Sequence, residues 1–388
     1  MSSSRSSFDP EGCPLCGTGD AELLFESRLG MSVRSDWTPL PARARVFRCV
    51  ACDLIFKPTS LVDRFSDYES YSVWGDSAAR DKIEYGVARM ATRSGILRSY
   101  LTERGLLGAG TAVLDYGCNR GAFLALLPEG PHAGFDVTER YRPMVEKLGL
   151  RFFGPADPLP AGAFDVVSLI HVLEHLAVPT RQLSAPAGAL KEGGALLVQV
   201  PDLAAQPTDV YIMDHRSHFN AATLRRALEA FGFGSGEITS LIGGELTALF
   251  RGRGPSIIAT GERRSMGERE EDAFDRVRRV LSSGEEALLG LREAGERCVI
   301  FGAGLWGTLV GAFLGERVEA FWDDDPSLHG TRLLGIPVAA VPASSDGRTV
   351  VVAVPPTAAG RVARRCRAGA FRTVVPFDLD APANRRSD

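Results

Sequence analysis

The chain has 388 residues, of which 45% are hydrophobic and 24% charged, with a formal net charge of −4; at roughly 100–200 residues per domain it can hold two or three domains. That balance excludes a disordered chain, and the charge offers no basic footprint for nucleic acid. No apolar run approaches the roughly 18–20 residues that span a bilayer, and the serine-rich start lacks the apolar stretch of a signal peptide. A cytoplasmic protein with neither nucleic-acid nor membrane partner is expected.

The first 60 residues are turn-rich and carry four of the seven cysteines, as the pairs Cys13-Pro-Leu-Cys16 and Cys49-Val-Ala-Cys52. Two residues between thiols let both sulfurs reach one ion, and four thiolates with no open position make a structural Zn²⁺ site. An odd cysteine count without a secretory signal argues for a reducing compartment. The gap between the pairs, longer than the roughly 15–20 residues of a zinc ribbon, calls for an inserted hairpin. Residues 61–107 read as helical, with apolar spacing through Ile83, Val87, Met90, Ile96, Leu97 and Leu101. From residue 111 to 261 β-branched runs alternate with helical stretches, which predicts a parallel, doubly wound sheet. Residues 262–297 read as a charged helical hairpin broken at Ser282-Ser283-Gly284, and residues 298–380 restart the α/β alternation. The expected organisation is a four-cysteine zinc-binding domain (8–60), a catalytic core with an N-terminal helical insert (61–261), a helical connector (262–297) and a C-terminal Rossmann-like domain (298–380).

Within the core, Val113-Leu-Asp115-Tyr116-Gly117-Cys118-Asn119-Arg-Gly121 follows a strand and is expected to open a helix over 120–127. A glycine turn there lets a ligand approach the backbone at the carboxyl edge of the sheet. The string resembles motif I of the class I S-adenosylmethionine (SAM) methyltransferases, commonly Asp/Glu-x-Gly-x-Gly-x-Gly, with Asn119 in place of the middle glycine. Asn tolerates left-handed backbone angles better than most residues. Asp136 ends the next strand about 20 residues on, where it can accept hydrogen bonds from two ribose hydroxyls. The run Phe164-Asp-Val-Val-Ser-Leu-Ile-His171-Val-Leu-Glu-His175-Leu resembles the string that follows motif II in these enzymes. The resemblance implies SAM contacts from Asp115, Tyr116, Gly117, Cys118, Asn119, Gly121, Asp136, Val137 and His171, and backbone contacts to adenine near Ala156.

The order of cysteine pairs, insert, methyltransferase core and C-terminal α/β domain is similar to that of the zinc-containing sugar C-methyltransferases of antibiotic biosynthesis. That family abstracts a proton alpha to the ketone of a nucleotide-linked keto-deoxysugar and methylates the resulting carbanion. The resemblance implies that His215 is the base, oriented by Asp214, and that His175 and Tyr71 assist. Two positions before Asp214 the family shows a Tyr where this chain has Ile212. Asp214, His215 and His218 could alternatively make half of a metal site. The acceptor is expected to be a small molecule and the protein a monomer or homodimer. An O- or N-methyltransferase and a non-catalytic SAM- or nucleotide-binding module are the other readings.

Near the C-terminus, Gly302-Ala-Gly304-Leu-Trp-Gly307 follows a strand, and Asp323 ends the next one about 20 residues later. Alone this says dinucleotide. The Asp323-Asp-Asp-Pro326 to Val338 stretch resembles the C-terminal domain of the sugar C-methyltransferases, which implies closure over the nucleotide end of the substrate. A purely structural domain and genuine NAD binding are the alternatives.

Overall fold

A computed structural model of the protein describes residues 12–65, 82–85, 89–252, 268–342 and 347–380. Its internal packing divides the chain into two units. The first comprises residues 1–21, 49–202 and 216–264, and the second residues 22–48, 203–215 and 265–388. Each unit is therefore assembled from three separate stretches of sequence.

The first unit is built on a seven-stranded sheet. In spatial order its strands are Arg151–Phe153, Ala133–Phe135, Val113–Tyr116, Phe164–Ile170, Leu190–Pro201, Glu245–Arg251 and Ser235–Thr239. Numbered along the chain this is 3-2-1-4-5-7-6. The first five run parallel, and the Glu245–Arg251 strand is antiparallel to both its neighbours. This is a Rossmann-like order, as the resemblance to the class I methyltransferases implies. Val113, Leu114, Val166, Val167, Leu197 and Val198 are fully buried, as continuous apolar runs in a sheet covered on both faces must be. Leu97, Tyr100, Leu101, Phe123 and Val145 pack onto this sheet from the connecting segments. The strand order reverses between Val113–Tyr116 and Phe164–Ile170, and that switch point is where an open α/β sheet leaves a crevice for ligands.

The second unit carries a six-stranded sheet, in order Arg332–Leu333, Ile336–Ala339, Val318–Trp322, Cys298–Phe301, Thr349–Val352 and Arg372–Val374. All but the first of these strands are parallel. Val299, Phe301, Trp322, Val350 and Phe371 form its core.

Three helical expectations need correction. Arg120–Leu127 is a loop ending in a 3-10 turn at Leu124–Leu126. Pro128 forces Leu127 into an extended conformation (φ −74°, ψ 153°), so too few residues remain between Gly121 and the proline to propagate a helix. Residues 61–107 contain only two α-helices among the described residues, Thr59–Val62 at their start and Arg93–Glu103. Between these lies an antiparallel pair, Lys82–Tyr85 with Arg89–Thr92. An apolar spacing that matches the helical period over so short a run does not exclude strand pairing. Finally, Glu268–Glu293 is one continuous helix of 26 residues rather than a hairpin. Gly284 does not break it. A Cβ at that position would collide with the Phe377 ring, so the glycine serves close packing inside the helix.

Candidate active site

The predicted cofactor residues converge at the switch point of the first unit. Gly117 (φ 86°), Asn119 (φ 49°) and Gly121 (φ 78°) all adopt left-handed backbone angles, so Asn119 takes the conformation that a glycine usually supplies there. The amides of Gly117 and Cys118 both donate to the Phe135 carbonyl, at 2.7 and 2.9 Å. Asp136 then braces the loop. Its Oδ2 accepts from the Asn119 amide and its Oδ1 from the Thr138 amide, each at 2.9 Å. Gly117 also permits a close approach, because a Cβ there would overlap Cγ2 of Val172 from the segment following the Phe164–Ile170 strand. Tyr116 stacks on Phe135 with ring centroids 4.2 Å apart. Val137 is 51% exposed beside Asp136, an apolar side chain left open next to a buried acid. Ala156 is exposed in a turn whose Asp157 accepts from the Gly154 amide and from Arg142, both at 2.8 Å.

Two buried carboxylates give this loop its electrostatic character. Asp115 accepts from the Ser168 hydroxyl at 2.7 Å, directly across the strand pair, yet burial and the nearby Asp136 push its carboxyl up to about 7. Burial raises Asp136 as well, against the two amides that hold it. Buried acids in this state favour a cationic ligand or hydroxyl donors.

His171 is held in a cluster of charged side chains. It sits at φ 54° with Nδ1 3.0 Å from Glu174 and Nε2 3.4 Å from Glu245. Arg93 pairs with Glu245 from the other side at 2.6 Å. Burial and Arg93 push the imidazole down, but Glu245 and Glu174 outweigh them and lift it to about 9. The result is a charged clamp that fixes the turn carrying Val172. The Glu174 carbonyl in turn accepts from the Arg216 amide at 2.7 Å. His175 is half-buried at the end of the adjoining 3-10 turn, Leu173–His175.

His215 and Asp214 belong to the second unit, in the strap 203–215. Here the expected pairing is corrected. The carboxylate on His215 is Asp209, whose Oδ1 lies 2.8 Å from Nδ1, with both residues buried. Asp214 instead accepts from the Ser35 amide at 2.7 Å and the Ser35 hydroxyl at 2.5 Å. Side chains at adjacent positions diverge, whereas the 3-10 turn Pro207–Tyr211 brings Asp209 back under the imidazole. Tyr211 points away from this pair, its hydroxyl donating to Glu285 at 2.9 Å. The half-metal reading also fails at His218. That residue lies in the first unit with Nε2 2.8 Å from the buried Lys57 ammonium, which takes the lone pair a metal would need. Tyr71 lies outside the described residues.

The four cysteines come together within the first unit, all four sulfurs lying within 4.8 Å of one another. Cys13 and Cys52 are 3.6 Å apart, and Cys16 and Cys49 3.5 Å. No disulfide links them. A tetrahedral ion with Zn–S bonds of about 2.3 Å requires sulfurs about 3.8 Å apart, so the donor set fits zinc. The two knuckles share one turn. The amide following each second cysteine donates to the carbonyl of the first, Gly17 to Cys13 at 2.8 Å and Asp53 to Cys49 at 3.0 Å, with φ of 74° and 62°. Arg226 holds the non-glycine turn by donating to Asp53 and to the Cys52 carbonyl, at 2.9 and 3.0 Å.

The C-terminal glycine turn repeats the bracing seen at Asp136. Asp323 accepts from the Ala303 and Asp325 amides, each at 2.8 Å. Gly302 has φ 110°, and a Cβ on Gly307 would overlap the Gly302 carbonyl, so helix and turn are closely packed. The Trp37 indole lies 3.8 Å from where a Cβ on Gly304 would sit, against the face that a pyrophosphate would occupy in a dinucleotide fold.

Residues 87–234 match a family described as a methyltransferase domain. A tRNA U34 carboxymethyltransferase of Helicobacter acinonychis (strain Sheeba) is 31% identical over 156 residues, which cover 34% of this chain and 58% of the relative. The match thus spans little more than half of that curated protein's length. Among solved structures, similarity extends to a possible histamine N-methyltransferase of Thermotoga maritima, at 20% identity and a TM-score of 0.34, covering 42% of this chain and 91% of that one. It extends also to the CurJ carbon methyltransferase, at 13% identity and a TM-score of 0.36, covering 42% of this chain and 54% of that one. The family match supports methyltransferase activity for this domain, and the sheet order is in keeping with it.

Proposed function

We propose that the protein methylates a carbon atom of a small acceptor, a nucleotide-linked keto-deoxysugar, in specialised metabolism. The buried Asp209–His215 pair carries this reading. With Nδ1–H donating to Asp209, the lone pair resides on Nε2, and the carboxylate stabilises the imidazolium that forms when Nε2 takes a proton. In the proposed reaction His215 removes the proton alpha to the acceptor's carbonyl, and the carbanion left behind takes the methyl group. His175 and Tyr71 are proposed to assist. Bound SAM supplies an electrophilic methyl group on a sulfonium. The carboxylates of Asp115 and Asp136 fit it, since they are buried acids that a cation and ribose hydroxyls would satisfy. The four thiolates are assigned to a structural zinc ion.

The test incubates the protein and SAM in D₂O with a panel of TDP-linked and other nucleotide-linked 4-keto-deoxysugars, read by mass spectrometry. Methylated product with deuterium at the adjacent carbon is expected. His215→Ala should lower turnover on the order of 10²–10⁴-fold with SAM affinity retained. Methylation of oxygen or nitrogen without carbon exchange would replace this reading with the O- or N-methyltransferase one. SAM binding without product on any acceptor would favour a binding module.

A further inference from the structure

The 22–48 segment, looped out between the two cysteine pairs, exceeds anything a zinc site requires. We infer that it is the holder that positions the strap carrying His215, with Ser35 and Glu285 as positioning residues. The inference rests on the proposed role of His215 as base.

The strap has no ladder of its own beyond Tyr211, where its 3-10 turn ends. An irregular segment that must present a side chain reproducibly needs its polar groups tied by neighbours. Four consecutive residues of the strap are tied in this way, within the second unit. Tyr211 donates to Glu285 at 2.9 Å. Ile212 forms a β-bridge with Val33. The Met213 amide donates to the Val33 carbonyl at 2.7 Å. Asp214 takes both donors of Ser35. Val33 and Ser35 flank one residue of the insert, so a short piece of chain fixes three of the four.

Glu285 supports the same piece from the long helix. A fully buried carboxylate in mid-helix is destabilising unless donors surround it. They do: the Ser27 hydroxyl at 2.7 Å, the Arg28 amide at 3.0 Å, Arg28 Nε at 3.2 Å and the Tyr211 hydroxyl. One acid therefore joins the insert to the strap. On this account Asp214 anchors the strap to the holder, and Asp209 orients the imidazole.

The experiment compares Ser35→Ala, Ser35→Thr, Glu285→Gln and His215→Ala in the full-length, zinc-loaded protein. Turnover is measured with a TDP-linked 4-keto-deoxysugar, SAM affinity by calorimetry, and the His215 ring by NMR of histidine-labelled protein, with His215→Ala providing the assignment among six histidines. Ser35→Ala should lower kcat about ten- to a hundred-fold, the scale of a small misplacement of a reacting group. SAM affinity should stay the same, and the His215 resonance should shift or split. Ser35→Thr keeps the hydroxyl and should recover turnover to within about three-fold. Glu285→Gln should move the same resonance. Wild-type turnover and an unmoved His215 resonance in both Ser35→Ala and Glu285→Gln would overturn the holder. Wild-type turnover in His215→Ala would instead refute the base, and the resonance would still report on the holder.

Discussion

Replacing Gly117 by Ala tests the packing of the cofactor loop in a way that separates two penalties. The residue has φ 86°, so any side chain is strained there by about 1–2 kcal/mol. The added Cβ would also overlap Cγ2 of Val172, while the Cβ of Val172 lies at an ordinary 3.6 Å. Forcing a methyl into that contact adds about 1–3 kcal/mol. The single variant should therefore lose about 2–5 kcal/mol by urea unfolding and bind SAM more weakly. Val172→Ala removes the colliding methyl and on its own costs about 1–2 kcal/mol of burial. In the double variant the overlap disappears and only the backbone strain and the lost burial persist. The two changes should thus couple by about 1–3 kcal/mol, with the double variant more stable than the sum of the singles predicts. Strict additivity, within about 0.5 kcal/mol, would mean that Val172 does not press on this glycine and would refute the packing argument.

His171 gives a pH dependence of definite sign. Its folded pKa of about 9 exceeds the ordinary value of 6.5, so folding binds the proton more tightly. Its stabilising contribution is therefore full below about pH 6.5, declines as pH rises towards 9, and is absent above it. Melting temperatures from pH 6 to 10 should show that decline in the wild type and not in His171→Gln; parallel profiles would remove the clamp. Asp209→Asn should lower turnover on the order of 10²–10⁴-fold by reversing the tautomer of His215, with SAM affinity unchanged; full activity would leave His215 without a carboxylate partner in the mechanism. Chelation should release one zinc per chain and lower the melting temperature. An unchanged melt with the zinc demonstrably gone would end its structural role.

Much of this was readable in the sequence because the signals were local. Motif I and its acid about 20 residues on mark a strand, a turn and a second strand, and Asn119 adopts the left-handed angle its chemistry allows. The two Cys-x-x-Cys pairs likewise specify their own turns, down to the left-handed residue after each. The rest depended on partners distant in sequence. Asp214 looks like the orienter of His215 because it is adjacent, but a 3-10 turn returns Asp209 to the imidazole and Ser35, 179 residues away, occupies Asp214. Gly284 reads as a helix break, since nothing near it in sequence announces that Phe377 will pack there. The ion pairs of His171 were equally hidden, because Glu245 and Arg93 lie on elements far along the chain.

The interleaving of the two units has a practical meaning for dissecting the protein. The C-terminal α/β half looks like a bead that could be cut away before the long helix, yet residues 265–388 alone would lack both the insert 22–48 and the strap 203–215. Glu285 would then face solvent without Ser27, Arg28 or Tyr211, and Phe377 would lose the Tyr211 ring that lies 5.6 Å from it. Such a fragment would expose a polar socket and an apolar face together, a surface prone to association. A single cut after residue 264 keeps every stretch of the first unit on one piece, but it strands 22–48 and 203–215 from the rest of the second. A two-plasmid complementation experiment on this chain therefore has no place to split it that leaves both units whole.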